Sequence, residues 1–146
     1  MPVIKLEDNL DILDQVSQIE NQYDHYEWMN STIEKVMERI IDRVDAGYHH
    51  WIMLEWDIPW GFTYGCPWYW ESYKGSWVFV PEQFTWKGIW RILVQTQIEY
   101  ARILWHSSMW GIIDCDNAAS IALHKKLGFD FYRQSNVWEI YLDLRN

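Results

Sequence analysis

Proton transfer near neutral pH needs a group that titrates there, and His124 is a side chain of that kind. It lies in Ala122-Leu123-His124-Lys125-Lys126, where the competing reading is an imidazole solvated on a helix beside two lysines. A carboxylate base has several candidates. Glu71 lies near the end of a strand, Glu55 on the outward side of another, and Asp114 and Asp116 flank Cys115 at the C-terminal end of a third. That end is where open α/β sheets collect functional groups. Each carboxylate also reads as a solvated side chain or a helix-start anion. Cys115 has the chemistry of a nucleophile, but the sequence fixes no partner for it, and an inert thiol is the other reading. His49 and His50 are adjacent, so on a strand they point to opposite faces and cannot share a metal. Cys66 and Cys115 match no metal spacing, and no metal site is expected.

Hydrophobic periodicity predicts the elements that hold these residues. Residues 2–6 suit a short strand. Leu10, Leu13, Val16 and Ile19 recur at helical spacing, and a polar, aromatic patch follows from Asn21 to Asn30. Ser31-Thr32-Ile33-Glu34 has the form of a capping box. Behind it Ile33, Val36, Ile40 and Val44 form a stripe stopped by Gly47. The period then falls to two. Ile52, Leu54, Trp56 and Ile58 share a strand face, and Pro59-Trp60-Gly61 reads as a turn. Phe62, Tyr64, Cys66, Trp68 and Trp70 share a face of the next strand, with Pro67 as a break or bulge.

Lys74-Gly75-Ser76 reads as a turn into Trp77-Val78-Phe79-Val80, a strand apolar on both faces and therefore central. A helix is expected from about Thr85 to Leu104, then a second central strand from Met109 to Ile113, then a helix from Asn117. Phe129 to Arg133 and Val137 to Leu144 close the chain as a hairpin. In its second strand Trp138, Ile140, Leu142 and Leu144 face in, and Glu139, Tyr141 and Asp143 face out.

The 146 residues suit one domain with a real core, and no linker or repeat interrupts them. Hydrophobic residues make up 49% and charged residues 23%, an ordinary globular balance. No apolar run spans a membrane and no signal segment opens the chain, so a cytoplasmic protein with reduced thiols is expected. A net charge of −9 argues against nucleic acid and anionic membrane as partners and favours a cationic one. The 12 tryptophans and 9 tyrosines fill a core or supply a groove or protein interface.

One string carries more than composition does. Asn117-Ala118-Ala119-Ser120-Ile121-Ala122-Leu123-His124-Lys125-Lys126-Leu127-Gly128-Phe129 has an N-cap, a helical stripe and a terminal glycine. It resembles the C-terminal signature of the GNAT superfamily, the acetyl-CoA-dependent N-acetyltransferases. The order of elements is similar to that fold from end to end. The resemblance implies one α/β (α+β) domain over residues 1–146, with a mixed, mostly antiparallel sheet of about seven strands and about four helices.

It also implies a cofactor site. Relatives bind acetyl-CoA beside the fourth strand, with the pyrophosphate on backbone N–H groups at the start of the next helix. That segment is Val80-Pro81-Glu82-Gln83-Phe84-Thr85-Trp86-Lys87-Gly88-Ile89-Trp90. Val80 and Gly88 fit the family pattern. Thr85 replaces the usual Gln or Arg, and Trp90 replaces a Gly or Ala and would crowd the phosphates unless it turns away. Lys87 can supply compensating charge. Val80, Thr85, Trp86, Lys87, Gly88, Ile89, Trp90 and Asn117 are therefore the expected cofactor residues. His124 stands where relatives place the Tyr that protonates the leaving thiolate, with Glu71 as the candidate base.

Two functions follow. One is acetyl transfer from acetyl-CoA to an amine or cationic acceptor. The other is an inactive GNAT-fold subunit acting through its aromatic surface. Small GNAT-like proteins carried by tailed bacteriophages are loosely similar, which would place it in a virion. A homodimer through the C-terminal strands, using Trp138 and Tyr141, is implied by analogy with relatives.

Overall fold

The computed structural model describes residues 3–24, 31–68 and 71–145. In chain order these form β1 (Val3–Lys5), two short 3-10 turns (Leu6–Asp8 and Leu10–Ile12), α1 (Leu13–Asp24), α2 (Ile33–Asp45), β2 (His49–Glu55) and β3 (Ile58–Trp68). Then come β4 (Ser72–Phe79), a 3-10 helix (Glu82–Lys87), α3 (Ile89–Ile103), β5 (Ser108–Asp114), α4 (Ala118–Lys126), β6 (Asp130–Gln134) and β7 (Val137–Asp143). The sheet order is β1-β2-β3-β4-β5-β7-β6. The β4–β5 pair is parallel, while β1–β2, β2–β3, β5–β7 and β6–β7 are antiparallel. This is the mixed seven-stranded sheet with four α-helices among the described residues that the segment order predicts.

The chain divides into two compact units, Met1–Gly65 with Trp77–Thr96, and Cys66–Ser76 with Gln97–Asn146. In the first, the stripes of α1 and α2 bury Val16, Ile19, Val36 and Ile40 together with Leu6, Ile52, Phe62 and Phe79. Burying each such side chain contributes roughly 1.5–3 kcal/mol. In the second, Tyr73 of β4 is fully buried and meets Tyr100 edge-on at 6.3 Å and His106 at 5.7 Å. Gly75 follows it where a Cβ would lie 2.6 Å from Met109 Cε and 3.1 Å from Gln97 Oε1.

Several local expectations are corrected. The β2–β3 reversal is at Trp56-Asp57, both with positive φ (55° and 59°), and Pro59-Trp60-Gly61 runs inside β3. Trp56 is 86% exposed rather than sharing a buried face with Ile52. Trp51, Ile52 and Met53 are all buried, so the centre of β2 is covered on both faces. Lys74-Gly75-Ser76 is strand, because Gly75 answers a lack of room rather than a need to turn. Pro67 stays within β3, whereas Trp70 lies outside the described residues.

Thr32 rather than Ser31 caps α2, accepting from the Lys35 amide at 3.2 Å, while Ser31 Oγ accepts from Arg39 Nη2 at 2.8 Å. The capping box is therefore not formed. The helix expected from Thr85 begins at Ile89 instead, after a separate 3-10 helix and a left-handed Gly88. The patch from Asn21 to Asn30 is helical through Asp24, and residues 25–30 lie outside the described set.

Candidate functional site

Within the first unit, β4 delivers the chain to the start of α3. Val80 follows the strand and is 1% exposed. Its carbonyl accepts from the Tyr23 hydroxyl, and its amide donates to the same oxygen at 2.8 Å. The phenol also sits edge-on against Phe79 at 5.0 Å. Gly61 of β3 makes the next fix. A Cβ there would lie 3.0 Å from the Phe79 carbonyl oxygen and 3.1 Å from side-chain carbons of both Val80 and Ile89. Two of the expected cofactor residues, Val80 and Ile89, are thus brought together over one glycine. The Trp60 ring stacks on Phe84 at 4.4 Å, which holds the 3-10 helix beside β3.

Gly88 carries φ +74°, and nothing lies within 4 Å of where its Cβ would be. It is left-handed because the chain changes from 3-10 to α-helix there, a conformation glycine adopts without penalty. The first amides of α3 have no intrahelical acceptor, and no acidic residue stands in its first turn. Open space and the positive dipole end together suit a phosphate group. Ile89 is fully buried, so only its backbone can serve. The Trp90 indole is half-buried, and its Nε1 is buried without a hydrogen-bond partner. Its polar edge is thus turned into the protein rather than wholly outward. Thr85, Trp86 and Lys87 are described by backbone alone, so the roles expected of their side chains lie outside the described residues.

Within the second unit, Asn117 N-caps α4, its Oδ1 accepting the Ser120 amide at 3.2 Å. Gly128 ends the helix with φ +92°, as its place in the string requires. The His124 ring is half-buried, set edge-on to Phe129 at 5.0 Å, with Nδ1 2.8 Å from the Ser120 carbonyl oxygen. A carbonyl only accepts, so Nδ1 carries the proton and Nε2 holds the lone pair. Burial pushes the imidazole below the usual histidine value despite the Ser120 bond. It is neither the solvated side chain of the competing reading nor a ready cation at neutral pH.

Glu71 precedes β4, so it stands at the N-terminal ends of the parallel pair β4 and β5. It is exposed, accepts from Ser107 Oγ at 3.0 Å, and its carbonyl accepts from the Ser107 amide at 2.7 Å. The carboxylate anchors a turn and has a different set of neighbours from His124.

The sequence reading missed a buried charged cluster in the first unit. Glu20 of α1 is 2% exposed and accepts from Arg39 Nη1 at 3.2 Å, from Arg43 Nη1 at 3.2 Å, and from Arg43 Nη2. Arg43 Nε donates to His50 Nε2 at 3.1 Å, and its guanidinium lies 4.0 Å over the Tyr64 ring. Glu7 accepts from the His50 amide at 2.8 Å and from its Nδ1 at 3.2 Å. Burial pushes the Glu7 carboxyl up, but its bonds from His50 outweigh that and hold it below its ordinary value. Burial drives His50 down, and the Tyr64 phenol up to about 12. Arg39 and Arg43 at helical i, i+4 spacing were the visible signal.

Among the described residues, no cluster of His, Cys, Asp or Glu is placed to hold a metal, and no helix is long and apolar enough to cross a membrane.

No curated protein matches the chain by sequence. Several solved structures share its fold. The ribosomal-protein-alanine N-acetyltransferase of Brucella melitensis superposes with a TM-score of 0.79 at 18% identity, over 98% of this chain and 99% of that one. An aminoglycoside 6'-acetyltransferase type Ii gives 0.82 at 15% identity over 100% and 99%. The PaiA N-acetyltransferase of Thermoplasma acidophilum, solved with coenzyme A, gives 0.72 at 11% identity over 98% and 99%. The acetyltransferase (GNAT) family pattern matches residues 13–129, and the chain belongs to that family.

Proposed function

We propose that this protein transfers an acetyl group from acetyl-CoA to an amine acceptor. The observation that carries the reading is the start of α3, where an open, left-handed Gly88 precedes the positive dipole end of a helix with no acidic residue in its first turn. The amides of Ile89 and Trp90 would bind the pyrophosphate, and the Tyr23–Val80–Gly61 packing keeps that turn in place. Acetyl-CoA, when bound, supplies the activated thioester. His124 is proposed as the proton-transfer residue, with Nε2 as its working atom, since Nδ1 is engaged by Ser120. Serving as acid requires the imidazolium, which burial disfavours, so that role strengthens as pH falls. Glu71 is given no part, because it is occupied at Ser107.

The acidic chain, at −9, suits a cationic acceptor. Two proteins of like fold are named for a ribosomal-protein alanine and for an aminoglycoside, and both acceptor classes are candidates here. Isothermal titration with acetyl-CoA tests the reading. Micromolar binding that is lost in Gly88→Asp supports it. No heat at millimolar ligand overturns it.

A further inference from the structure

We propose that one face of the β5–β7–β6 sheet is a docking surface for a lysine- or arginine-rich peptide segment. Register defines that face. Its rows are Ser108–Asp143, Trp110–Tyr141–Asp130, Ile112–Glu139–Tyr132 and Asp114–Val137–Gln134. The opposite face carries Met109, Gly111 and Ile113 with Leu142, Ile140 and Trp138. It is the covered side: Lys125 of α4 lies 5.5 Å over the Phe131 ring, and Met109 and Gln97 of α3 both close on Gly75.

On the first face Ile112 and Tyr132 are each 54% exposed and Tyr141 38%. Large apolar side chains gathered on one sheet face, rather than scattered, mark a contact surface.

Charge says what the surface takes. On these strand positions, among the described residues, every charged side chain is a carboxylate: Asp114, Asp130, Glu139 and Asp143. Asp143 is matched by Arg145 at 2.9 Å and 3.0 Å, which leaves three. Exposed rings beside carboxylates bind ammonium and guanidinium groups through the ring face and the charge together. The chain already does this once at the edge of the same face. Lys74 shares a register row with Trp110, and its Nζ sits 4.9 Å from the Trp68 ring and 5.3 Å from the Trp110 ring.

Size favours a peptide over a small amine. Four rows by three strands cover about 20 Å by 10 Å, the reach of roughly six extended residues. A second copy of the chain is disfavoured, because pairing this face with itself would oppose carboxylate to carboxylate. The homodimer surface expected from Trp138 and Tyr141 does not form one patch either, since the two are three residues apart on β7 and therefore on opposite faces. The inference is independent of acetyl transfer and needs no bound cofactor.

Fluorescence anisotropy with a labelled alternating Lys-Ala decapeptide at low salt tests it. The protein should bind that peptide and not its Glu-Ala counterpart. Asp114→Asn with Asp130→Asn and Glu139→Gln should weaken binding at least tenfold, and so should Ile112→Ser with Tyr132→Ser. Neutralising Asp11, Glu38 and Glu99, which are exposed elsewhere, should change it less than twofold. Absence of binding overturns the proposal. So does an equal loss in that control set, which would mean net charge alone. Sedimentation showing a dimer that dissolves in the face variants would give the surface to a second copy and likewise overturn it.

Discussion

The Tyr23 hydroxyl stands between the amide and the carbonyl of Val80, accepting from one and donating to the other. One side-chain atom thereby satisfies both backbone groups of a residue that β4 has just released. It ties the last turn of α1 to the point where the chain leaves for α3. Tyr23→Phe keeps the ring against Phe79 but leaves two buried polar groups unmet. We expect a loss of about 1–3 kcal/mol, seen as a lower urea midpoint with an unchanged slope. An unchanged midpoint would show that the bridge contributes nothing.

Glu20 should be the most sensitive charged residue in the first unit. Removing its carboxylate in Glu20→Ala leaves Arg43, whose side chain is 13% exposed, without its main counter-charge. Breaking a buried pair in this way costs about 3–5 kcal/mol. Chemical denaturation should show that loss, against under about 1 kcal/mol for exposed Glu38→Ala.

His50 makes stability fall in mild acid. Burial depresses its folded-state value below the ordinary 6.5, so the unfolded chain takes up the proton first. The associated stability is present above pH 6.5 and is lost as pH falls through the depressed value. Protonation also removes the Nε2 lone pair that Arg43 uses, and it sets a cation beside a guanidinium. Glu7, also depressed, adds its own loss at lower pH, where its carboxylate protonates. Melting temperatures from pH 8 to pH 4 should fall most steeply below 6.5 in the native chain, and less so in His50→Gln. Parallel curves would remove His50 from the account.

His124 predicts a kinetic signature. If it supplies the proton as an acid, kcat should fall about tenfold per pH unit above its depressed value. His124→Tyr should move that limb well to the alkaline side, since a phenol ordinarily titrates near 10. A profile that is the same in both proteins would take His124 out of proton transfer.

The second unit was the more legible in sequence. Asn117 and Gly128 act through local backbone chemistry, the N-cap bond to Ser120 and the left-handed stop, and such effects are written in neighbouring residues. The β6–β7 hairpin showed itself by alternation for the same reason. What could not be read depended on distant partners. Trp56 and Asp57 turn the chain with positive φ and no glycine between them, whereas the local turn signals stand at Pro59 and Gly61. Gly61 is small because Phe79, Val80 and Ile89 approach it, a fact invisible without the fold.

At the site the split is similar. Gly88 was marked only through the family resemblance and lay inside the helix expected from Thr85; that start was misplaced because a 3-10 segment and an α-helix share their first-turn composition. The buried cluster of Glu7, Glu20, Arg43 and His50 joins residues far apart in sequence, and periodicity had marked only its apolar surroundings.

Gly75 and Met109 occupy a single volume between them, with the methionine methyl resting where a side chain on the glycine would begin. In Gly75→Ala the added methyl would turn the flexible end of Met109 aside and crowd the Gln97 amide, so the substitution is absorbed by two side chains rather than by the backbone.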